Sequence, residues 1–159
     1  MQALAHLRIH CLERALAGLD SVLRHRGRQL TAHLATGIEG EDAAFFHLRR
    51  KGYTIVARRW SAGSLPGDID LIAWQGTLLC FIEVKTRTAR DNTPAESAVD
   101  SHKRNTLRRL ARRYVRQLPQ ATAPEVRFDV LSVYLVPSQP MEFQHFEAAF
   151  GSSERMEDW

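Results

Sequence analysis

The chain lacks the features that mark membrane proteins and disulfide-rich secreted domains. No apolar run approaches the roughly 18 residues of a membrane span, and the densest stretches, Leu78–Ile82 and Val130–Val136, have the length of strands. Only two cysteines occur among 159 residues, Cys11 and Cys80, so neither a disulfide framework nor a zinc-ligand spacing is present. Because Cys80 lies in an apolar strand pattern, we expect it to be a small buried hydrophobe. These absences favour a globular protein in a reducing cytoplasm.

Acidic residues are missing from one basic segment of the chain. The formal net charge is +4 with a pI near 9.5. Residues 101–118 contain seven Lys or Arg and no acid, whereas residues 119–159 contain two Lys or Arg and seven acids. A concentrated basic segment suggests a polyanionic partner such as nucleic acid, with a solvated helix face as the alternative. The candidates to follow a phosphate backbone are Arg104, Arg108, Arg109, Arg112, Arg113 and Arg116.

Residues 1–36 differ in composition from the rest. They contain five Arg, four His and only two acids, and part of the segment has the apolar spacing of an amphipathic helix. The compact apolar stretch and small-residue cleavage site of a secretory signal are missing. We therefore expect a basic N-terminal extension, helical or disordered. An organelle transit peptide and an incorrectly assigned start are equally compatible with it.

The folded domain is expected to span residues 37–150, followed by a flexible tail at 151–159. Its pattern predicts a helix, a strand, a hairpin, a helix and two further strands, which indicates an α/β fold with a mixed sheet covered by helices. Gln75-Gly76 is the expected hairpin turn, and the last strand is expected to be short. The predicted helices are Glu39–Lys51 and His102–Leu118, and the predicted strands are Tyr53–Ala57, Ile69–Trp74, Thr77–Lys85, Val126–Val136 and Met141–Phe146.

Polar and charged residues interrupt the two apolar strands of the predicted hairpin. Alternate residues of a strand share a face, so Glu83 and Lys85 point the same way. With a two-residue turn at Gln75-Gly76, Asp70 lies opposite Phe81 and Asp68 lies opposite Glu83. Asp68, Asp70, Glu83 and Lys85 then share one surface. A three-residue loop would reverse this parity.

Three carboxylates on one surface raise each other's pKa unless a cation is present. Oxygen ligands without Cys or His favour a hard ion, Mg²⁺ or Mn²⁺. Such an ion activates water and neutralises phosphate charge, while Lys85 can orient the water or stabilise developing charge. The alternative is an ordinary ion pair between Lys85 and Glu83, with the aspartates capping turns.

Three segments together resemble the YraN family of bacterial proteins: Gly67-Asp-Ile-Asp-Leu-Ile72, Phe81-Ile-Glu-Val-Lys-Thr-Arg87 and Arg127-Phe-Asp-Val130. Gly40-Glu41, Lys103 and Glu147-Ala-Ala-Phe150 also fit that pattern, so the resemblance covers roughly residues 37–150. Members of the family usually have Glu where this chain has Asp68, which keeps the charge but shortens the reach.

The YraN family is similar to PD-(D/E)XK nucleases, especially archaeal-type Holliday junction resolvases, and this implies a restriction-endonuclease-like fold. By resemblance, Asp70 is the motif aspartate, Glu83 the second metal ligand and Lys85 the catalytic lysine. Glu41 is then the first-helix acid that approaches the metal. Resolvases of this fold are commonly dimers, which makes a homodimer compatible with the resemblance.

Two further residues are candidates to support the site. Lys103 lies on the apolar side of its predicted helix, where a phosphate or the acidic cluster gives it a partner. Asp129 supports the site or caps a loop. The seven histidines show no ligand spacing and are interpreted as surface residues, with those in residues 1–36 uninformative.

Two functions follow from these observations. The first is a metal-dependent nuclease that hydrolyses phosphodiester bonds in nucleic acid. DNA is the favoured substrate, and branched or structured DNA is a candidate. The second is a non-catalytic module on the same fold that binds nucleic acid or a partner protein.

Overall fold

A computed structural model describes residues 32–90, 99–119 and 124–151 of the chain, with side chains described from residue 34 onward. The predictions for the N-terminal extension up to residue 31, for residues 91–98 and 120–123, and for the tail at 152–159 lie outside these ranges. The described elements are α1 (Ala32–Arg50), β1 (Thr54–Trp60), β2 (Ile69–Gln75), β3 (Leu78–Arg87), α2 (Ser101–Val115), β4 (Val126–Tyr134) and β5 (Glu142–Phe150).

The five strands form one mixed sheet in the order β1-β2-β3-β4-β5. β3 and β4 are parallel, and the other neighbouring pairs are antiparallel. Parallel neighbours need a crossover connection, and α2 lies in the chain between β3 and β4. This architecture confirms the predicted α/β fold, a restriction-endonuclease-like mixed sheet flanked by helices.

Each face of the sheet is covered by one helix. Phe81 and Phe128 belong to a buried cluster with Leu107 and Leu110 of α2. On the opposite face, a second buried cluster joins strand residues to α1; its members include Ala44, Leu48, Leu71, Ile82, Val84 and Leu131. The alternation predicted for β3 is therefore confirmed, since Phe81 faces α2 while Ile82 and Val84 face α1.

Two elements near the N-terminus of the domain are longer than predicted. α1 begins at Ala32, seven residues before the predicted Glu39, and it continues through two glycines. β1 ends at Trp60 rather than Ala57, because Arg58 and Arg59 extend an exposed edge strand that apolar alternation could not reveal. Both arginines pair with acids of α1, which a pattern within one strand cannot show.

The last strand is also longer than predicted. β5 spans Glu142–Phe150, so the expectation of a short strand ending at Phe146 is wrong. A bulge between the pairs Phe128–Phe150 and Val130–Phe146 interrupts the regular spacing, and Ala148 has a φ of 51°. The extra residues at this bulge break the alternation from which strand length was predicted.

Neither of the two described helices has the combination of length and apolar character that a membrane crossing requires.

Candidate active site

Asp70 and Glu83 become neighbours through the hairpin of β2 and β3. Gln75 pairs with Leu78 and Leu71 pairs with Ile82, which leaves Gly76-Thr77 as the two-residue turn. The predicted turn is therefore wrong by one residue. Gly76 has a φ of 61°, a conformation that glycine adopts without steric cost at the first position of such a turn.

The corrected turn moves the register by two residues and leaves its parity unchanged. After the pair Leu71–Ile82, the next residues along the two strands are Asp70 and Glu83. Asp70, rather than Asp68, thus comes level with Glu83 on the same face. Asp70 Oδ2 also accepts a 2.7 Å hydrogen bond from the backbone N–H of Val84, which fixes the carboxylate against β3.

Glu83 is a buried carboxylate held between two lysines. Only 4% of its side chain is exposed, its Oε1 lies 3.0 Å from Lys85 Nζ and its Oε2 lies 3.1 Å from Lys103 Nζ. The Lys103 contact is an ion pair without ordinary hydrogen-bond geometry, and Oε2 has no hydrogen-bond donor among the described residues. A buried carboxylate oxygen with an unused lone pair is suited to accept a further cation.

Lys103 reaches the site because α2 begins beside it. Asp100 caps the helix by accepting a 2.8 Å hydrogen bond from the backbone N–H of Lys103. The side chain of Lys103 then faces the sheet, as the sequence pattern indicated. Burial lowers its pKa, but the carboxylates of Glu83, Asp70 and Asp68 outweigh burial and raise it, so Lys103 is a charged partner of the cluster.

Asp70 carries the pKa shift that a crowded carboxylate site produces. Burial and the charges of Glu83 and Glu41 raise the pKa of its carboxyl from 3.8 to about 7, against the opposing effects of the Val84 hydrogen bond and Lys103. A carboxyl with such a pKa, placed among other acids in a cleft, is a candidate for a functional group.

Glu41 approaches the cluster from α1, where Arg59 holds it. Arg59 Nε donates to Glu41 Oε2 at 2.5 Å, and Arg59 Nη2 donates to Glu41 Oε1 at 2.9 Å. Asp68 lies just before β2, half-buried, and its charge acts on both Arg59 and Lys103. Asp68 is therefore an electrostatic neighbour of the cluster.

Gly40 sets the distance between α1 and the end of β3. A Cβ atom at this position would lie 1.9 Å from Thr86 Oγ1, which is far below any van der Waals contact. The helix backbone thus packs directly on the threonine, and this close approach brings the next residue, Glu41, to the acidic cluster.

A cleft of about 380 Å³ collects these groups. Glu41, Asp70, Glu83 and Lys85 line it, together with Thr36, Gly37, Val84, Thr86 and Thr88. Most of the lining side chains carry hydroxyl or charged groups, and acids outnumber lysine among them. The cleft therefore suits a polar or cationic ligand rather than an apolar one.

The donor set fits a hard cation by its chemistry. The carboxylates are oxygen ligands, which Mg²⁺ and Mn²⁺ prefer. In the present arrangement, however, no three His, Cys, Asp or Glu side chains converge closely enough to hold a metal ion within the ranges that the structure covers. Glu83 faces Lys85 and Lys103, and Glu41 faces Arg59, so a metal ion at this cluster would have to share or displace these contacts.

The structure does not bring Asp129 to the cluster. Asp129 is fully buried on the α1 face of β4, where Arg127, His145 and the backbone N–H of Ala148 all contact it within 3.1 Å. Of the two predicted roles, support of the site and capping of a loop, neither describes it. Asp129 instead ties β4 to the bulged end of β5.

Two histidines of the folded domain depart from the surface role predicted for them. The ring of His47 stacks on Phe143 at 4.0 Å, and burial lowers its pKa to about 4, aided by Lys51 and Arg50. The side chain of His145 is only 5% exposed and contacts Asp129. Their partners are 96 and 16 residues away in the chain, so spacing along the sequence could not identify them.

The five arginines of α2 and its C-cap residue Arg116 divide into two faces. Arg104 and Arg108 lie over the ring of Phe150 and bind backbone carbonyls, Arg104 that of Val99 and Arg108 that of Gly151. Arg112 follows one turn later and is half-buried. Exposed side chains belong to Arg109, Arg113 and Arg116. The exposed set has the i, i+4, i+7 spacing of one helix face.

Arg59 is the site residue that the sequence did not reveal. The available signal was the pair Arg58-Arg59 next to an apolar strand, which reads as an ordinary polar end of an edge strand. Its contact with Glu41 spans 18 positions in sequence and two elements, so only the folded structure makes it visible.

The fold and the cleft define an α/β protein with a restriction-endonuclease-like sheet and an acidic site beside two lysines. The chain belongs to UPF0102, described as an uncharacterised protein family, which it matches over residues 40–133. This membership confirms the resemblance to the YraN family. The matched range begins at Gly40 and Glu41 and includes Asp70, Glu83, Lys85 and Lys103.

Relatives in three organisms share most of the folded domain. A UPF0102 protein of Koribacter versatilis is 51% identical over 118 residues, covering 74% of this chain and 80% of the relative. A UPF0102 protein of Solibacter usitatus is 47% identical over 104 residues, or 65% and 78% of the two chains. A UPF0102 protein of Parafrankia sp. is 40% identical over 111 residues, or 70% and 92%.

Proposed function

We propose that this protein is a metal-dependent nuclease that hydrolyses phosphodiester bonds, with DNA as the favoured substrate. The observation that carries the proposal is the convergence of Asp70, Glu83 and Lys85 in one cleft with Glu41. Three carboxylates, with a lysine on the same face of β3 as Glu83, form the set of groups that phosphodiester hydrolysis needs.

Each residue has a role that its position supports. Asp70, Glu83 and Glu41 are the oxygen ligands for Mg²⁺ or Mn²⁺. The bound ion supplies Lewis acidity toward the phosphate and the attacking water. Lys85 lies at the cleft beside Glu83 and orients the water or stabilises the charge that develops on the phosphate. Lys103 lies 3.1 Å from Glu83 Oε2 and holds this carboxylate in place.

A second function rests on a different observation. Glu83 and Glu41 are already neutralised by Lys85, Lys103 and Arg59, so the cluster is electrostatically balanced without a metal. A module that binds nucleic acid or a partner protein without cutting needs nothing more. Cleavage and metal binding distinguish the two functions.

A substrate panel tests the proposal directly. Branched, single-stranded and duplex DNA, with RNA equivalents, are incubated with the full chain in Mg²⁺, Mn²⁺ or EDTA. We expect metal-dependent cleavage of at least one substrate and its loss in Lys85→Ala. Lys85→Ala should retain metal binding, because an ammonium group is no ligand for a cation. Binding of these substrates without cleavage under any condition would favour the non-catalytic module.

The exposed arginines of α2 are expected to bind the phosphate backbone. Arg109→Ala with Arg113→Ala should weaken DNA binding and reduce the slope of log affinity against log salt by about one for each phosphate that is no longer neutralised. Arg104 and Arg108 are unsuitable for this test because they anchor Phe150 and Gly151. The matched control is Arg50→Ala with Lys51→Ala, two exposed cations at the end of α1. An equal effect of both pairs would mean that binding follows net charge alone.

A further inference from the structure

Arg59 has a backbone conformation that a long side chain rarely adopts. Its φ is 47°, in the left-handed region, and such strain persists where the surrounding contacts favour it. The register places it between the pairs Arg58–Leu71 and Trp60–Ile69, level with Asp70 on the neighbouring strand. The unusual backbone therefore occurs beside the acidic cluster.

The Arg59 side chain occupies both oxygens of one predicted metal ligand. Its Nε and Nη2 atoms donate to the two oxygens of Glu41 at 2.5 and 2.9 Å, the geometry of a two-pronged pair. The negative charges of Asp68 and Asp70 act on the same guanidinium. Arg59 thus lies where three carboxylates attract a cation.

The two partners differ in their access to solvent. The Arg59 side chain is 47% exposed, whereas that of Glu41 is 17% exposed. The arginine can leave the pair for another anion near the surface. Glu41 stays in the cleft beside Asp70 and Glu83, where it needs a replacement cation.

We propose that Arg59 is an exchangeable cation: it neutralises Glu41 until a divalent metal takes that carboxylate, and it then binds a phosphate of the substrate backbone. The proposal rests on the nuclease function above and adds a positioning residue to it. Guanidinium groups bind carboxylates and phosphates with the same two-pronged geometry, so one side chain serves both partners. Metal and nucleic acid should then bind cooperatively.

The neighbouring arginine provides a matched control. Arg58 pairs with Asp42, and its guanidinium lies 5.0 Å from the centre of the Phe45 ring. Neither Arg58 nor Asp42 lines the cleft. Arg58→Gln therefore removes the same charge from the same strand without freeing a predicted metal ligand.

The first experiment is a Mn²⁺ titration of the wild type, Arg59→Gln and Arg58→Gln, followed by the electron spin resonance of free Mn²⁺. If Arg59 competes with the metal for Glu41, Arg59→Gln should bind Mn²⁺ at least about fivefold more tightly than the wild type. Arg58→Gln should match the wild type. Arg59→Lys keeps the positive charge but loses the two-pronged geometry of the guanidinium, so an intermediate Mn²⁺ affinity is expected.

The second experiment measures DNA affinity with and without Ca²⁺, which occupies oxygen sites. Without metal, Arg59→Gln should bind DNA nearly as well as the wild type, because Arg59 is engaged by Glu41. With Ca²⁺, the wild type should gain affinity and Arg59→Gln should lose most of that gain. If Arg59→Gln lost the same amount of DNA affinity relative to the wild type with and without Ca²⁺, the proposed exchange of partners would be overturned.

The outcomes separate this proposal from the nuclease proposal. Equal Mn²⁺ affinity in the wild type, Arg59→Gln and Arg59→Lys overturns the role of Arg59 and leaves the metal site intact. Weaker Mn²⁺ binding in Arg59→Gln also overturns it, since Arg59 then supports the site as a structural residue. Absence of Mn²⁺ binding in all of the proteins overturns both proposals.

Discussion

Replacing Asp70 by asparagine should lower DNA cleavage by orders of magnitude while leaving the metal-free fold at least as stable as the wild type. Asparagine keeps the shape and can still accept the hydrogen bond from Val84 through its carbonyl oxygen. It removes one anionic ligand of the proposed metal site, so activation of the attacking water should fail. The measurements are initial cleavage rates in Mg²⁺ and urea unfolding in EDTA.

The pH dependence of stability gives this variant a second signature. Because burial and Glu83 raise the Asp70 pKa from 3.8 to about 7, the folded protein binds this proton more tightly than the unfolded chain does. Its contribution to stability is complete below about pH 4 and is lost as the pH rises toward about 7. Asp70→Asn cannot ionise, so its unfolding free energy without metal should decline less over this pH range than that of the wild type.

Asp42→Asn is the matched control for Asp70→Asn. Asp42 lies next to Glu41 on α1, but its carboxylate pairs with Arg58 outside the cleft. This variant should cleave normally and keep the wild-type pH profile. An Asp70→Asn protein that cuts as fast as the wild type would contradict the active-site assignment. Loss of metal-free stability with unchanged activity would favour the ordinary ion-pair interpretation.

The strand pattern predicted correctly which side chains of β3 share a face, because alternation is a local property. Phe81, Glu83 and Lys85 on one side and Ile82 and Val84 on the other follow from the pleat alone. The predicted turn was misplaced by one residue, so the two strands are shifted by two residues relative to each other. An even shift keeps the same side chains on the same face of the sheet. The prediction therefore found the correct surface but paired Glu83 with Asp68 instead of Asp70.

Contacts between distant elements could not be predicted in the same way. Glu41 meets Arg59 because Gly40 lets α1 pack on Thr86, and no periodicity encodes that packing. The positive φ of Arg59 likewise has no signature in the sequence of an edge strand. The sequence thus predicted the acids of the cluster and the two lysines beside Glu83, whereas Arg59, the partner of Glu41, required the fold.

Asp129 shows the same limit on the opposite face of the sheet. Its position between Phe128 and Val130 places it on the other side of β4 from those residues. Its partner His145 on β5 is distant in the sequence, and its partner Ala148 lies within a bulge that the pattern did not contain. A buried acid on a strand is therefore weak evidence for an active site, because it can equally organise a structural network.

Asp129→Asn should be more destabilising than any of the other substitutions above, at about 3–5 kcal/mol, because it leaves the largely buried guanidinium of Arg127 without its charged partner. Arg127 binds both carboxylate oxygens at 2.8 Å and is 14% exposed, while His145 is 5% exposed. Burial raises the Asp129 pKa, but hydrogen bonds from His145, Arg127 and Ala148 outweigh it, so the net pKa is lowered. The wild type should therefore lose stability as the pH falls below about 4, the opposite sign to Asp70.

Glu147→Gln is the control for this network, since Glu147 contacts Arg127 at 3.3 Å but is 51% exposed. An exposed ion pair contributes at most about 1 kcal/mol, so this variant should unfold near the wild-type urea concentration. Asp129→Asn should unfold at a much lower concentration, yet its folded fraction should still bind Mn²⁺, because Asp129 lies on the far face from Asp70 and Glu83. Equal stability of the two variants would show that Asp129 does not hold β4 and β5 together. Selective loss of Mn²⁺ binding in folded Asp129→Asn would instead make it a supporting residue of the metal site.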